Sequence, residues 1–386
     1  MTGRPIRMAI IMPTFYEQVI GGSEYQAYLV AEAAKQRGCD VHYVFVSASR
    51  CWPNHLEVML HPIKPHPFSK RFGATWSLYS KTVRRVLAEI RPDAVYVRGG
   101  WSFAGAAARY AKRCGCRSIW HVASRADVTP RRILSLMCRP FDIIERRSIE
   151  YAIRHSTHVV VQAKYQADLL QEYYGRLSIV IRQPQPEPEE SIQKAGPVTV
   201  VWIANLKPLK QPEMFLRLAR ECRDCGNVRF TMVGRPCEGR STERLEAGLR
   251  ELHNIDYLRE QPMAEVNRIL ARSHILVNTS LYEGMPNTFV QAWMRRVPVV
   301  SMLVDPDDVL ATQRIGCISG SFERMVADVR RLIGDPGLRE EMGERARTYA
   351  MENHALDKNM PRLLDLICAR AGNELCEARR VAAEPV

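Results

Sequence analysis

The sequence predicts an α/β protein built from two doubly wound domains, and three observations carry that reading. The chain opens with an apolar run, Arg7 to Pro13, of strand length. A glycine turn at Gly21-Gly22-Ser23-Glu24, an amphipathic helix Tyr25–Gln36 and a second apolar run Val41–Val46 follow. Strand, glycine turn, helix, strand is how a parallel βαβ unit begins. The order then recurs through residue 181. Last, Gln183-Pro-Gln-Pro-Glu-Pro-Glu-Glu190 breaks all periodicity, and the α/β pattern restarts after it. Prolines in alternation fit neither a helix interior nor a central strand, so this stretch reads as a linker.

Element by element, the first half continues with helix Ser80–Ile90, strand Ala94–Val97, a small-residue helix Phe103–Lys112 and strand Arg117–His121. A helical region Arg131–His155, interrupted near Pro140, precedes strand Val159–Gln162, helix Lys164–Tyr174 and strand Ser178–Ile181. The second half reads strand Val198–Ile203, helix Pro212–Cys222, strand Arg229–Val233, helices Ser241–Leu252 and Met263–Arg272, and strand Ile275–Asn278. Helix Asn287–Arg295, strand Val297–Met302 and C-terminal helices complete it. The expected domains are 1–182, a linker 183–196, and 197–354, with a helix around 355–386 returning to the first domain. The expected ligand site is the cleft at the carboxyl ends of the strands.

The chain has 386 residues, too many for one ordinary core, and 46% of them are apolar. The longest apolar runs are strand-length, short of the roughly 20 residues a membrane-spanning helix needs. The N-terminus has no charged-then-apolar leader, so a cytosolic protein is expected. The eleven cysteines are scattered, and Cys222-x-x-Cys225 has no second pair to complete a zinc site, so reduced and mostly buried thiols are expected. The net charge of +13 is uneven: residues 1–190 hold 27 Lys and Arg against 16 Asp and Glu. A basic half points to an anionic partner.

One segment concentrates chemistry: Leu281-Tyr-Glu-Gly-Met-Pro-Asn-Thr-Phe-Val-Gln291, which follows a strand and opens a helix. Pro286 suits the first helical position or the turn before it. The amides of Asn287 and Thr288 would sit at a helix N-terminus, a ready site for phosphate or sugar hydroxyls. Glu283 projects just ahead of them, and Gln291 lies two turns into the helix. An ordinary strand-to-helix turn would look similar in isolation. Lys207 and Lys210 directly after strand Val198–Ile203 favour an anion site over a solvated face.

This segment resembles the donor signature of family 4 glycosyltransferases of the GT-B fold: Glu-Gly-x-Pro-Asn, closing on an acidic residue eight positions later. Trp202-Ile-Ala-Asn-Leu-Lys-Pro-Leu-Lys210 and Ala292 to Ser301 are similar to further parts of the family pattern. The resemblance implies a retaining, nucleotide-sugar-dependent transferase. Glu283, with Gly284, Met285 and Pro286, would hold the transferred sugar. Gln291 would contact the ribose, where the family has Glu. Lys207, Lys210, Asn287 and Thr288, with the Gly21-Gly22 turn, would bind the donor phosphates. Asn205 stands where the family has Arg. His121 would lie near the reacting sugar, and Tyr257 and Leu258 would cup the base. No cofactor and no metal are expected beyond the UDP- or GDP-sugar donor. Asp305-Pro-Asp307-Asp308 matches a family turn rather than a metal site. Charge on the departing diphosphate would be offset by lysines and helix dipoles.

Arg131, Arg132, Arg139, Arg146, Arg147 and Arg154 recur every seven or eight residues and would share one broad face of a helix, a surface suited to an anionic membrane or simply to water. Lys70-Arg71, Lys81, Arg84 and Arg85 add to the same half. The expected acceptor is a saccharide, lipid-linked or otherwise phosphorylated, met at the inner face of the membrane. Nucleic acid is not an expected partner, because no motif for it accompanies the charge. Two other readings remain open: a nucleotide-sugar epimerase of the same fold, and a non-catalytic nucleotide-sugar-binding protein.

Overall fold

The computed structural model describes residues 4–19, 21–49, 51–67, 76–130, 140–190, 192, 194–236, 245 and 247–369. The chain divides into two compact units, Met1–Gln183 with Asp357–Val386, and Pro184–Leu356.

Among the described residues, the first unit holds a seven-stranded sheet in the order β3-β2-β1-β4-β5-β6-β7. Its strands are β1 (Arg7–Ile11), β2 (Asp40–Val46), β3 (Met59–Ile63), β4 (Ala94–Arg98), β5 (Arg117–His121), β6 (His158–Val161) and β7 (Ile179–Val180). Every pairing is parallel, with Ile10 opposite both Tyr43 and Tyr96. Central parallel strands are covered on both faces, which is why they read as apolar runs rather than as alternation. On one face, Val44, Val95, Val97 and Trp120 pack with Leu87, Phe103 and Ile153. Helix Ser102–Cys114 packs so closely on helix Pro140–His155 that a Cβ on Gly105 would collide with the Ser148 carbonyl.

The second unit holds a six-stranded parallel sheet in the order β10-β9-β8-β11-β12-β13. These strands are β8 (Val198–Ile203), β9 (Val228–Val233), β10 (Ile255–Tyr257), β11 (Ile275–Asn278), β12 (Val299–Ser301) and β13 (Gly316–Ile318). Alternate residues feed two cores. Trp202, Phe230 and Val277 pack with Phe215 and Met325 on one face. Val201, Leu276 and Val299 pack with Phe289, Trp293 and Tyr349 on the other. Both sheets have the doubly wound order, with the direction of winding reversing between β1 and β4 and between β8 and β11.

The sequence expectations missed the strands β3, β10 and β13. All three lie at a sheet edge, are short, and are only partly buried; β3 even carries Pro62, which an edge strand tolerates. The Pro-rich stretch is docked as well as irregular. Gln183, Pro184 and Gln185 are buried. The Gln185 amide donates to the His354 carbonyl at 2.9 Å, and the Leu356 amide donates to the Gln185 carbonyl at 3.0 Å. The helix Leu356–Cys368 then joins the first unit. Arg37 ion-pairs with Asp365, and the sulfurs of Cys39 and Cys368 are 3.5 Å apart. Thiol burial departs from expectation: among the described cysteines only Cys222 is buried, while Cys51 and Cys114 are exposed.

A buried histidine links the second sheet's stability to pH. The Nδ1 of His274 accepts the Thr199 amide at 3.0 Å. Burial first, then the charges of Lys194 and Arg339, hold its pKa down at about 4. A histidine lowered in the folded state leaves the unfolded chain holding more protons in acid. Its stabilisation is therefore complete above the ordinary value of 6.5 and is lost as pH falls toward 4. Between those limits the wild-type protein is expected to lose up to about 3 kcal/mol more than His274→Asn, whose amide oxygen can still accept from Thr199. Thermal unfolding across that range checks it, and equal losses in both proteins would remove His274 as the cause.

Candidate functional site

In the second unit, the expected donor residues collect where the winding reverses, at the carboxyl ends of β8 and β11. β8 ends at Ile203, and Asn205, Leu206 and Lys207 follow. The Lys207 amide donates to the Asn205 carbonyl at 2.7 Å, and the Lys210 amide to the Lys207 carbonyl at 2.8 Å, closing a short 3₁₀ turn Pro208–Lys210. That turn is fixed to the end of β11. The Leu281 amide donates to the Leu209 carbonyl at 3.0 Å, and the Thr279 hydroxyl donates to the Lys210 carbonyl at 2.6 Å. The indole of Trp202, on β8, donates to the Thr279 oxygen at 2.9 Å. A buried tryptophan thus sets the threonine that sets the lysine.

The side chains follow from that backbone. Lys210 ion-pairs with Glu283, and the two side chains are only 21% and 17% exposed. Glu283 also accepts from the Ser280 hydroxyl at 2.7 Å. Lys207 is exposed. The two lysines therefore differ: one offsets the carboxylate, and the other offers its charge to solvent. The helix Asn287–Met294 starts four residues beyond Glu283 with Pro286 as its N-cap residue. The first-turn amides of Asn287 and Thr288 have no intrahelical acceptor, as at any helix start. The Asn287 side-chain oxygen accepts from Gln185 at 3.1 Å.

Other expected donor residues are placed less openly. Met285 is 4% exposed and its side chain belongs to the apolar cluster around Phe289 and Trp293. Gly284 and Pro286 are buried beside it. Gln291 is 2% exposed, and its amide nitrogen lies 2.9 Å from the Met263 sulfur and 3.4 Å from the Asn267 oxygen. The Tyr257 hydroxyl donates to the Gly234 carbonyl at 3.0 Å, while Leu258 stays 38% exposed. Asp305 accepts the Leu310 amide at 2.8 Å, and burial raises its pKa to about 6. Its carboxyl serves as a cap in the turn. Gly234 was not singled out from the sequence. A Cβ there would collide with the Ala204 carbonyl, so only glycine lets β8 and β9 leave the sheet side by side. The signal was available: Val-Gly-Arg-Pro directly after a strand.

In the first unit, helix Gly22–Gln36 begins at Gly21, whose carbonyl accepts the Tyr25 amide at 2.9 Å. The backbone of Gly21 has φ −138°, open to any residue, and a Cβ there would meet only the end of the flexible Glu24 side chain. The Glu24 carboxylate accepts from the Thr14 hydroxyl at 2.8 Å and folds back onto Gly21. His121 ends β5 and is 1% exposed. Its Nδ1 lies 2.8 Å from the Tyr96 hydroxyl, and Arg98 Nη1 lies 3.1 Å from both ring nitrogens. Burial first, and the Arg98 charge second, hold the imidazole well below its ordinary pKa, so it is neutral. Arg98, itself 2% exposed, is a further residue that the sequence reading passed over.

The expected arginine face divides. Arg131, Arg132 and Arg139 lie outside the described residues, as do Lys70 and Arg71. Arg147 and Arg154 are exposed, but Arg146 is buried, paired with Glu150 at 3.1 Å and set over the Tyr174 ring. Ile144 is exposed instead. The single shared basic face is thus broken at Arg146, which serves packing. No helix among the described residues is long and apolar enough to cross a membrane.

Two family models match the chain. Glycosyltransferase Family 4 covers residues 20–182, and Glycosyl transferases group 1 covers residues 197–335, together about three quarters of the length. The chain belongs to the family 4 glycosyltransferases. A curated relative, glycosyltransferase 1 domain-containing protein 1 of Xenopus tropicalis, is 26% identical over 160 residues, which is 40% of this chain and 46% of that protein. This chain therefore spans less than half the length of that relative. Solved structures of GT-B type superpose over almost the whole chain. HepE of Anabaena with UDP and glucose gives a TM-score of 0.72 at 13% identity, covering 95% of this chain and 100% of that one. Sucrose-phosphate synthase of Thermosynechococcus elongatus gives 0.74 at 12%, covering 97% and 100%. WaaG, a glycosyltransferase involved in lipopolysaccharide biosynthesis, gives 0.74 at 16%, covering 94% and 100%. At these identities the likeness is one of fold.

The half-buried Lys210–Glu283 pair should behave as a unit. Removing either partner leaves the other charge poorly solvated. Lys210→Met and Glu283→Gln are each expected to cost about 1–3 kcal/mol, and the double variant less than their sum by about 1 kcal/mol. Urea denaturation of the four proteins measures the coupling. Strictly additive losses would show that the pair contributes none.

Proposed function

We propose that this protein transfers a sugar from a nucleotide-sugar, UDP- or GDP-linked, to a saccharide acceptor with retention of anomeric configuration. The observation that carries the reading is the cluster at the carboxyl ends of β8 and β11: Glu283 beside Lys210, exposed Lys207 next to them, and a helix N-terminus four residues on. In the reaction the bond between the anomeric carbon and the diphosphate breaks, and negative charge collects on the leaving phosphate. Lys207 and the Asn287 and Thr288 amides suit that charge. Lys210 turns to it as Glu283 takes up sugar hydroxyls. His121, kept neutral, suits hydrogen bonding to the transferred sugar. The UDP and glucose bound by HepE agree with such a donor. Tyr257 and Leu258 form the proposed base contact. The retaining outcome rests on the family resemblance.

Thermal shift with UDP, GDP, ADP and their sugars tests the donor site. One nucleotide is expected to raise the melting temperature. Glu283→Ala is expected to abolish turnover while the fold persists. No shift with any nucleotide would favour the non-catalytic alternative, for which buried Gln291, bonded within the protein where the family has an acidic ribose ligand, is the specific support.

The proposed acceptor is lipid-linked and met at an anionic membrane surface. Support comes from the first unit, where His155 is held below its ordinary pKa by desolvation and then by Lys112, Arg154, Arg109 and Arg176 around it. Leu177, next in sequence to Arg176, is 81% exposed. Basic residues beside an exposed apolar side chain suit an interfacial contact. Co-sedimentation at low salt should show binding to vesicles rich in acidic lipid and little to neutral ones. Equal binding to both would remove the membrane from the reading.

A further inference from the structure

The first unit contains a buried cation that pairs with no carboxylate among the described residues. Arg98 ends β4 and is 2% exposed. Its guanidinium meets His121, which is neutral, and shares that histidine with Tyr96. Among the described residues no carboxylate pairs with Arg98, and its Nε has no hydrogen-bond partner. The acidic groups at the same edge of the sheet are engaged elsewhere. Asp127 accepts the amides of Ala123 and Ser124 at 2.8 and 2.9 Å, and Glu24 accepts from Thr14. On the same face of the sheet, Tyr43 is 1% exposed and its hydroxyl also lacks a partner. An unpaired buried guanidinium is costly, and so is each buried donor without an acceptor.

Position adds an independent argument. β4 lies against β1, where the winding of this sheet reverses, and Arg98 is its last residue. Ligands of open α/β sheets bind there, outside the carboxyl ends of the strands. Arg98 and His121 are register partners on β4 and β5, so this buried charge sits beside the histidine proposed to face the reacting sugar. A guanidinium offers a planar fork that matches phosphate or carboxylate oxygens.

We propose that Arg98 binds an anionic group, phosphate or carboxylate, carried by the acceptor. The inference rests on the transferase reading only in naming the acceptor as the bearer. The anion site itself stands on the unit's own geometry. An acceptor that lacks the negative group would leave the Arg98 charge uncompensated, so the site selects for acidic acceptors.

Isothermal titration of inorganic phosphate, and separately of glucuronate and of UDP, into the full-length protein tests the proposal. Three proteins are compared: wild type, Arg98→Met and Lys210→Met. Phosphate or glucuronate is expected to bind the wild type, to weaken at least about tenfold in Arg98→Met, and to persist in Lys210→Met. Whichever of the two anions binds identifies the group. UDP is expected to bind Arg98→Met as it binds wild type. Loss of UDP binding in Arg98→Met would move the residue to the donor and overturn the assignment. So would binding of neither anion by wild type, or anion binding that follows Lys210 instead of Arg98. Should Arg98→Met not fold, Arg98→Lys takes its place, keeping the charge and losing the fork. It is expected to weaken anion binding while UDP binding is retained, and unchanged anion affinity there would overturn the proposal. Failure of wild type to bind UDP, with anion binding at Arg98 intact, would strike the donor reading alone.

Discussion

Parallel pairing is the constraint on which the rest of this protein depends. In a parallel sheet every strand points the same way, so the loops that leave the carboxyl ends gather along one edge. The winding of each sheet reverses once, between β1 and β4 and between β8 and β11. At those two places the loops diverge to opposite faces. In the second unit the divergence separates the β8 loop, with Lys207 and Lys210, from the β11 loop, with Glu283. The Trp202–Thr279 and Thr279–Lys210 hydrogen bonds tie them together again. In the first unit the corresponding edge holds the Gly21 turn, Arg98 and His121.

The charges at these edges are treated in two ways. Lys210 and Glu283 are brought together half-buried, and each offsets the other's desolvation. Arg98 is deeper and is left to a neutral histidine and a phenol. Burial first, and then that same positive charge, holds the His121 imidazole well below its ordinary pKa. A group that must accept or donate a hydrogen bond without carrying charge is well served by such a neighbour, at the expense of stability. Local cost of this kind stands apart from the mainly apolar packing on the faces of the two sheets.

Much of the architecture is legible in the sequence. Central parallel strands are apolar on both faces, so β1, β4, β8 and β11 stand out as uninterrupted runs, and helix Met263–Arg272 and strand Ile275–Asn278 were read at their observed bounds. β3, β10 and β13 were not, because an edge strand pairs on one side only and its half-exposed residues carry no clear pattern. Arg146 shows the converse failure. Its spacing among other arginines suggested a shared surface, yet Glu150 and the Tyr174 ring draw it inward. Periodicity reports which residues share a helix face, but the neighbour that covers the face decides which are buried.

What the sequence determined by itself was the repeated βα order, the break at residues 183–190, and the run of Glu283, Pro286 and Asn287 at a strand-to-helix turn. Each of these depends on contacts within a few residues: hydrophobic period, proline's fixed φ, and the local geometry of a helix start. Only the tertiary structure decided which distant groups meet. Lys210 reaches Glu283 across 73 positions of sequence, Gln185 docks on His354 and Asn287, and the helix Leu356–Cys368 joins the first unit through Asp365 and Arg37. It also decided that Arg98 is buried with no carboxylate partner among the described residues, since the environment of a strand's last residue is supplied by β5 and by the loops around it. The physical reason is the same in each case. Secondary structure is set by local geometry, whereas charge neutralisation and burial are set by whatever the fold carries alongside.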